Sequence, residues 1–582
     1  MLTALVLVGA APAGAATSTT RAITVTTSAP RTVRAITVTT SAAAQASGTP
    51  VLVTNKRRPP AGFRLTALEV ERIAAADPVS IAELAHHKKA VAYEYTKAPG
   101  EWQVSWFTPP GKPGTKQHEL LQVYVNDATG RVTQAWTGFQ VAWTMARGYP
   151  GAFGRHVNSW WVWIPLCVVF MFPFVPWRRR PTLLHLDLLV LLGFSISLAF
   201  FNDGKIGLSV PLNYPFLLYL LVRMLLLAFG KGRPREPLRI TIPVSWMVVL
   251  IVFLVGFRVG LNVSNSNVID VGYAGVIGAD KLTHGKPLYG GWPSDNPNGD
   301  TYGPVNYYAY VPAYAIFGWS GAWDDLPAAH AAAIAFDLLT LIGLFFLGRR
   351  IRGPSTGVVL AFLWAAYPFT LYSLSSNSND SLVAALIVLA LLVITSAPAR
   401  GVAGALAGFT KFAPLALGPL LLRGSGDWPR KRSLALMVVA YAITTVVVFI
   451  PVIAKHDLTA FYDDSIKYQA NRPAPFSIWG LWGGLSVEQH LVQGLAVGLA
   501  ILVAFVPRRR GIVEVAALGA AVLIALQLGL TYWMYLYIPW FFPLVAIGLV
   551  CSHPSSRLQP AVQAFTQGTL RERGVPILSK AR

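Results

Sequence analysis

The strongest constraint on this chain is a succession of apolar runs, many close to the ~20 residues that cross a bilayer as a helix. Alternate loops between these runs carry clusters of arginine and lysine. The clusters lie at residues 178–180, 231–239, 349–352, 430–432 and 508–510. Because basic residues concentrate in the cytoplasmic loops of membrane proteins, the pattern predicts a polytopic α-helical protein with these loops inside the cell.

Composition agrees with a membrane protein. Charged residues make up only 13% of the 582 residues, hydrophobic residues 54%, and the mean hydropathy is +0.50. The formal net charge of +22 would suggest a nucleic-acid partner in a soluble protein, but here the basic residues belong to the short loops. A nucleic-acid partner is therefore not predicted. Cys167 and Cys551 both lie inside apolar runs, which argues against a disulfide or a metal site.

Loop charge orients the predicted spans if the polar region that precedes them is outside the cell. The eleven predicted spans are residues 159–177, 182–201, 208–229, 241–262, 328–347, 355–374, 381–394, 433–454, 487–506, 511–530 and 534–550. Residues 401–422 break the alternation, because basic residues flank both ends of this run. Gly404, Gly408 and Pro414 surround Lys411 there, which predicts a re-entrant pair of half-helices. The basic tail, residues 552–582, is expected in the cytoplasm.

The region before the spans has three parts. Residues 1–16 are apolar and end in small residues, as in a secretory signal. Residues 17–62 are rich in Ala, Ser and Thr and repeat one short motif, which predicts a disordered linker. Residues 63–151 show two helical patterns and then alternating strand patterns, ending in a hairpin around the turn at 126–130. The sequence Val-Asn-Asp-Ala-Thr-Gly-Arg-Val resembles extracytoplasmic PepSY-type domains, with a generic helix-plus-sheet domain as the alternative.

Three polar stretches share the predicted external side: residues 262–302, 375–380 and 455–480. Asp270 follows a span end, so it is expected at the membrane surface, where a lipid-linked substrate presents its head group. A partly buried Asp suits the role of a base that takes the proton of an acceptor hydroxyl. Asp280 and Asp300 remain alternatives for this role, and a helix-capping Asp is the structural alternative.

Two cations and nearby aromatics complete the candidate site. The ammonium group of Lys411 in an apolar run costs about 2.5–3.5 kcal/mol, so it needs an anionic partner. A lipid phosphate is the expected partner, and a pair with Asp337 or snorkelling to water is the alternative. Arg472 is suited to grip phosphate. Trp479 and Trp482 suit stacking on a sugar, or else an interfacial aromatic belt.

These motifs together resemble a known family. The first external stretch contains Asp270, Tyr273, Leu282-x-x-Gly285-x-x-x-Tyr289 and Tyr302-x-Pro304. Farther along, Asn377-Ser-Asn379-Asp380 opens a span, and a Gly-rich segment precedes Lys411. Over residues 241–550, this order is similar to that of GT-C membrane glycosyltransferases, and more closely to the GT87 group.

The resemblance implies transfer of a sugar, such as mannose or arabinose, from a polyprenyl phosphate at the extracytoplasmic face of the plasma membrane. The acceptor would be an envelope glycolipid, glycan or protein, with Asp270 as the base. The expected substrate-binding residues are Tyr273, His284, Tyr289, Asp300, Tyr302, Asn377, Asn379, Asp380, Lys411, Lys467, Arg472 and Trp479. No cofactor is expected, and nothing in the spacing of the acids demands a divalent metal.

The chain departs from the family pattern in two respects. Three additional spans (158–240) and the PepSY-like domain precede the expected catalytic core (241–551), and Asp270 has no paired acid beside it. The alternative function is a multipass transporter or flippase of a lipid-linked or envelope substrate. A partner-binding scaffold is a third interpretation, although a single span would suffice for it. The absence of a clear internal repeat and the concentration of polar loops on one face favour the enzyme.

Overall fold

The computed structural model describes residues 50–97, 100–111, 117–148, 154–175 and 180–554. The predicted signal segment, most of the predicted linker and the tail from residue 555 lie outside the described residues. The described residues divide into two compact units, with the boundary between Thr137 and Gly138.

The first unit is a small α+β fold, as predicted. Its strands are β1 (Val51–Leu52), β2 (Val91–Lys97), β3 (Glu101–Phe107), β4 (Glu119–Asn126) and β5 (Arg131–Thr137), and its helices are α1 (Ala67–Ala75) and α2 (Pro78–His86). The strands form an antiparallel sheet in the order β1-β2-β3-β4-β5. Similarity of this unit to PepSY domains stays a prediction.

Local sequence explains how the first unit closes on its core. Helix α1 starts at a capping box, in which Thr66 and Glu69 satisfy each other's backbone N–H groups. Its buried face packs against the sheet around Trp102, which is fully buried. Asp127, at the β4–β5 turn, accepts a hydrogen bond from the indole Nε1 of Trp102 (2.9 Å) and two more from backbone N–H groups. One carboxylate thus ties the turn to the core.

The second unit is a bundle of helices. Its longer helices are α3 (Trp160–Met171), α4 (Leu183–Asn202), α5 (Ile206–Ala228), α6 (Val244–Ser264), α7 (Asp270–Thr283), α8 (Pro304–Phe317), α9 (Pro327–Arg352), α10 (Pro354–Ala366), α11 (Pro368–Ser375), α12 (Asp380–Leu392), α13 (Ala397–Gly408), α14 (Gly418–Arg423), α15 (Lys431–Ala454), α16 (Ser486–Leu502), α17 (Ile512–Leu528) and α18 (Ile538–Cys551). Short helical turns lie at Phe139–Ala142, Thr144–Arg147, Arg155–Asn158, Phe172–Phe174, Ala413–Leu417, Leu458–Phe461, Tyr462–Lys467, Tyr468–Asn471, Ile478–Leu481 and Tyr535–Tyr537.

Five helices of the described chain, α4, α5, α6, α9 and α15, are long and apolar enough to cross a membrane. The pair α10 and α11 is a sixth if it counts as one span; it bends by 57° at Pro368, which cannot continue the helical hydrogen bonds of α10. The remaining predicted spans coincide with shorter apolar helices. A membrane-embedded helical protein is therefore confirmed, whereas the count of eleven crossings stays a prediction.

The segment predicted to be re-entrant is broken near its middle. Helix α13 ends at Gly408, residues 409–412 form a turn, and the chain continues through the short helical turn Ala413–Leu417 into α14. Backbone N–H groups of Gly303 and Val305, at the start of α8, donate to the carbonyls of Thr410 and Phe409. The break thus presents Lys411 from a turn that α8 holds in place.

Buried ion pairs join helices of the bundle. Asp337 on α9 binds Arg258 on α6 through two hydrogen bonds, one of them from Nε to Oδ2 at 3.1 Å. The indole of Trp364 on α10 also donates to Asp337, at 2.9 Å. Asp337 is therefore fully engaged, and the alternative sequence-based pairing of Lys411 with Asp337 is wrong.

Candidate active site

A cavity of about 210 Å³ lies at one end of the helical bundle, where α7, α12 and α18 begin. Four charged residues line it: Asp270, Asp380, Lys411 and Arg472. Five aromatic residues also line it: Tyr302, Phe412, Tyr532, Tyr537 and Trp540. Residues distant in the chain therefore form a polar site with aromatic walls, of the kind that binds small molecules.

Asp270 is the first residue of α7, and its side chain is accessible within the cavity. Because surrounding protein replaces most of the bulk water, burial raises the pKa of this carboxyl. The nearby charges of Arg472 and Lys411 lower it, but burial prevails. A carboxylate with a raised pKa is a better proton acceptor than an ordinary surface Asp.

Lys411 pairs with Asp380, the first residue of α12, at 2.5 Å between Nζ and Oδ1. The indole of Trp540 donates to the same oxygen at 2.7 Å. The rings of Tyr302, Tyr537 and Trp540 lie 5.2–5.6 Å from the ammonium nitrogen, a distance at which aromatic faces stabilise cations. Lys411 is thus held by one carboxylate and three rings at the cavity wall.

Close backbone packing fixes the turn that carries Lys411. A Cβ atom on Gly303 would lie 2.0 Å from the carbonyl oxygen of Phe409, so only glycine fits at this contact. The sequence Tyr302-Gly303-Pro304 therefore places Tyr302 in the cavity wall and starts α8 directly behind the turn. Proline at the first position favours that helix start.

Arg472 is a cation without a carboxylate partner within 4.0 Å among the described residues. Its guanidinium carbon lies 4.3 Å from the ring centroid of Tyr532, 5.1 Å from Trp143 and 5.6 Å from Tyr468. Its Nε has no hydrogen-bond partner. Stacking on rings leaves the hydrogen-bonding edge of a guanidinium available, and that edge matches a phosphate.

Two predicted tyrosines lie outside the cavity lining. Tyr273 is fully buried, and its hydroxyl donates to Asp295 at 3.2 Å. Tyr289 is also buried, and its hydroxyl donates to the backbone carbonyl of Tyr302 at 2.9 Å. Both side chains fix the loop around the site, whereas the sequence analysis assigned them to the substrate; of the predicted tyrosines, Tyr302 lines the cavity.

The two asparagines before α12 also turn away from the cavity. Asn377 has a φ of +50° and donates to Ser266 at 2.9 Å, which ties the turn to the segment just after α6. Asn379 donates to Asn306 on α8 at 2.7 Å. Both asparagines stabilise the start of α12. Of the predicted motif at residues 377–380, only Asp380 lines the cavity.

The charged end of α7 forms a separate cluster, in which Asp280 is buried and its basic partners are exposed. Asp280 binds Lys286 at 3.1 Å and His284 at 3.1 Å. Lys467 is exposed and pairs with Asp463 at 3.1 Å. None of these three predicted residues lines the cavity: His284, Lys467 and the alternative base Asp280.

The last two predicted residues have other surroundings. The indole of Trp479 donates to the carbonyl of Leu528 at 2.7 Å and packs near Tyr214, which makes it an anchor between segments of the bundle. Asp300 is buried, accepts a hydrogen bond from the N–H of Gly290 at 2.9 Å and lines a neighbouring cleft. Asp270 is therefore the one of the three candidate acids that lines the cavity.

The sequence analysis missed most of the aromatic wall. Tyr532, Tyr537 and Trp540 come from the short segment before α18 and its first turn. Tyr537 and Trp540 fall inside the last predicted span, 534–550. A signal was nonetheless present, because tyrosine recurs at 532, 535 and 537, around the start of that span.

No group of three or more His, Cys, Asp or Glu side chains arranged to hold a metal ion occurs among the described residues. The fold and the cavity define a membrane-embedded helical protein with a charged, aromatic-walled site at one end of its bundle. The model of Glycosyltransferase family 87 matches residues 308–539. The resemblance predicted from sequence is thus confirmed over this range, which includes Asp380, Lys411 and Arg472 and leaves Asp270 outside.

Among solved structures, the chain is similar to ArnT from Cupriavidus metallidurans, whose crystal structure has undecaprenyl phosphate bound. The two share 18% sequence identity with a TM-score of 0.37, and the match covers 57% of this chain and 64% of that chain. No curated protein matches the chain.

Proposed function

We propose that this protein is a membrane glycosyltransferase that takes its sugar from a polyprenyl phosphate. The observation that carries the proposal is the joining, in one cavity, of a carboxylate with a raised pKa, Asp270, and two cations, Lys411 and Arg472. A sugar bound to a lipid phosphate needs both elements: cations for the phosphate and a base for the acceptor. The family match over residues 308–539 supports the same reaction class.

In the proposed reaction, Arg472 and Lys411 bind the donor phosphate. Asp270 takes the proton of an acceptor hydroxyl while the oxygen of that hydroxyl forms a bond to the anomeric carbon of the sugar. The bond from that carbon to the phosphate oxygen breaks, and the leaving polyprenyl phosphate keeps the electron pair. A direct displacement of this kind inverts the anomeric configuration. The cations stabilise the negative charge that develops on the phosphate.

The family resemblance favours mannose or arabinose as the sugar and an envelope glycolipid, glycan or protein as the acceptor. In this proposal, residues 241–551 are the catalytic core in the plasma membrane, and the chain crosses the membrane eleven times. The cavity and the α+β unit at 63–151 are extracytoplasmic, and the tail is cytoplasmic. Cysteines introduced at Thr129 and Ser294, both exposed, should then react equally with an impermeant reagent on intact cells. Opposite labelling would contradict this topology.

The activity test uses membranes containing the full chain and radiolabelled polyprenyl phosphate sugars. Transfer should occur from the lipid-linked donor and not from a nucleotide sugar. Asp270→Asn, which keeps the size of the side chain, should lower turnover by about 10²–10⁴, the usual contribution of general-base catalysis.

Asp280→Asn is the matched control, because Asp280 lies on the same helix and outside the cavity. Its turnover should stay near that of the wild type. Equal turnover in the Asp270→Asn variant and the wild type would refute the assignment of the base. Transfer from a nucleotide sugar in lipid-depleted protein would refute the donor class.

A further inference from the structure

A second cleft, of about 340 Å³, is lined by chain segments that also line the cavity. Its side chains include Trp292, Asn298, Asp300, Asp464 and Tyr468, and we name it the Asp300 cleft. The two spaces are neighbours along the chain in two places. Asp300 lines the cleft and Thr301 the cavity, and Tyr468 lines the cleft and Gln469 the cavity. A molecule in the cleft would therefore contact the same two chain segments that line the proposed donor site.

The two spaces differ in charge. The cavity combines two cations, Lys411 and Arg472, with two carboxylates, whereas the described side chains that line the Asp300 cleft include two carboxylates, with the Lys281 ammonium at its wall. Asp300 is 5% exposed, and Ser465, next to Asp464, donates to its carbonyl at 2.9 Å. Burial and the neighbouring charge of Asp464 raise the pKa of Asp300, whereas the hydrogen bond from Gly290 and the charge of Lys281 lower it. When ionised, the carboxylates of Asp300 and Asp464 would repel an anion.

Hydrogen-bond acceptors in the cleft stand beside aromatic rings. Carboxylate oxygens and the amide of Asn298 accept hydrogen bonds from hydroxyl groups. Trp292 and Tyr468 add apolar surface with polar edges. Lys281 stacks on the ring of Trp292, 5.0 Å from its centroid, and donates to the carbonyl of Gly290 at 2.6 Å, which fixes the wall. Aromatic rings beside acidic groups that accept hydrogen bonds from hydroxyls suit an uncharged, polyhydroxylated ligand.

We propose that the Asp300 cleft binds a neutral sugar ring of the acceptor and excludes acceptors that carry an anionic group there. This inference rests on the proposed glycosyltransferase function, because that function makes the neighbouring cavity the donor site. The acceptor sugar would present a hydroxyl to Asp270. The cations of the cavity would then favour the donor phosphate there, and the carboxylates of the cleft would favour an uncharged acceptor ring.

The test measures binding of two probes to the full chain in lipid nanodiscs by saturation-transfer NMR. Octyl glucoside is the neutral probe, and octyl glucuronide has the same alkyl chain with a carboxylate on the ring. The glucoside should bind and the glucuronide should not. Asp464→Ala should weaken glucoside binding about tenfold or more, as expected for the loss of a hydrogen bond to a charged group.

Asp463→Ala is the matched control, because Asp463 is exposed, pairs with Lys467 and does not line the cleft. It should bind glucoside like the wild type. Equal binding by the two alanine variants, or binding of glucuronide as strong as that of glucoside, would overturn the proposal. The proposal would also be overturned if calcium binding depended on Asp464 and glucoside binding did not, because the cleft would then be a cation site.

A separate donor assay distinguishes failure of this inference from failure of the proposed function. If the wild type transfers no sugar from any polyprenyl phosphate donor while the glucoside pattern holds, the glycosyltransferase proposal fails and the cleft remains a sugar site. If transfer occurs and the glucoside pattern is absent, only the assignment of the cleft fails.

Discussion

The pair between Lys411 and Asp380 allows a structural role to be separated from a functional one. Only 10% of the Lys411 side chain and 1% of the Asp380 side chain are exposed, so neither charge is compensated by water. Replacing Lys411 with Met leaves the Asp380 carboxylate buried beside the indole of Trp540, with its Oδ2 unpartnered. Removing one member of a buried pair typically costs about 3–5 kcal/mol. We expect Lys411→Met to lower the free energy of unfolding by that amount.

The double variant Lys411→Met with Asp380→Asn removes both charges and keeps an acceptor for the indole of Trp540. Its free energy of unfolding should return to within about 1 kcal/mol of the wild type, because an uncharged pair avoids the cost of desolvation. Turnover should stay low in both variants, since the phosphate-binding cation is missing from each.

Denaturant titration in mild detergent micelles, followed by tryptophan fluorescence, measures stability, and transfer from a lipid-linked donor measures turnover. If Lys411→Met unfolds at the same denaturant concentration as the wild type, or if the double variant is no more stable than this single variant, the pair is not the buried interaction described above. Full turnover in the stable double variant would remove Lys411 from the proposed reaction.

Three further predictions concern charges at other positions. Because burial raises the pKa of Asp270 and the base must be ionised, kcat/KM should rise with pH through a midpoint above ~3.9, and the pH–rate profile of Asp270→Asn should lack this rise. Burial raises the pKa of Asp127, but the hydrogen bonds that its carboxylate accepts outweigh burial, so the pKa is lowered in the folded protein. The ionised Asp127 therefore stabilises the α+β unit above pH ~3.9, and this stabilisation is lost as the pH falls through the lower pKa of the folded state. Hydrogen exchange in the full chain should show that β3 and β4 lose protection in acid in the wild type, and that this pH dependence is weaker in Asp127→Asn. Arg258→Met should cost about 3–5 kcal/mol by leaving Asp337 unpaired, and denaturant titration that shows no loss would contradict the bundle description.

The sequence predicted the helices of the bundle better than the composition of the site. The apolar runs mark the helices because each lacks charge over most of its length, and Asp270 was identified because it follows one of them. The partner of Lys411 was beyond sequence reasoning. Its run has basic residues at both ends, so loop charge alone does not assign the turn to one side, and only the folded chain brings it to Asp380.

Sequence reasoning failed differently for Tyr273, Asn377 and Asn379. Their residue types and positions suit substrate binding, but the same hydroxyl and amide groups also satisfy buried loops, and tertiary contacts decide between the two uses. The catalytic role of Asp270 stays a prediction for the experiments above.

The short connection from Asp300 to Gly303 contacts three parts of the proposed site. Asp300 lines the Asp300 cleft, Tyr302 lines the cavity, and the N–H of Gly303 donates to the turn that carries Lys411. A shift of this connection by either ligand would change the other ligand's affinity, and by thermodynamic linkage the two changes must be equal. Binding of the donor and of the acceptor would then be coupled, and four consecutive residues, 300–303, would transmit this coupling.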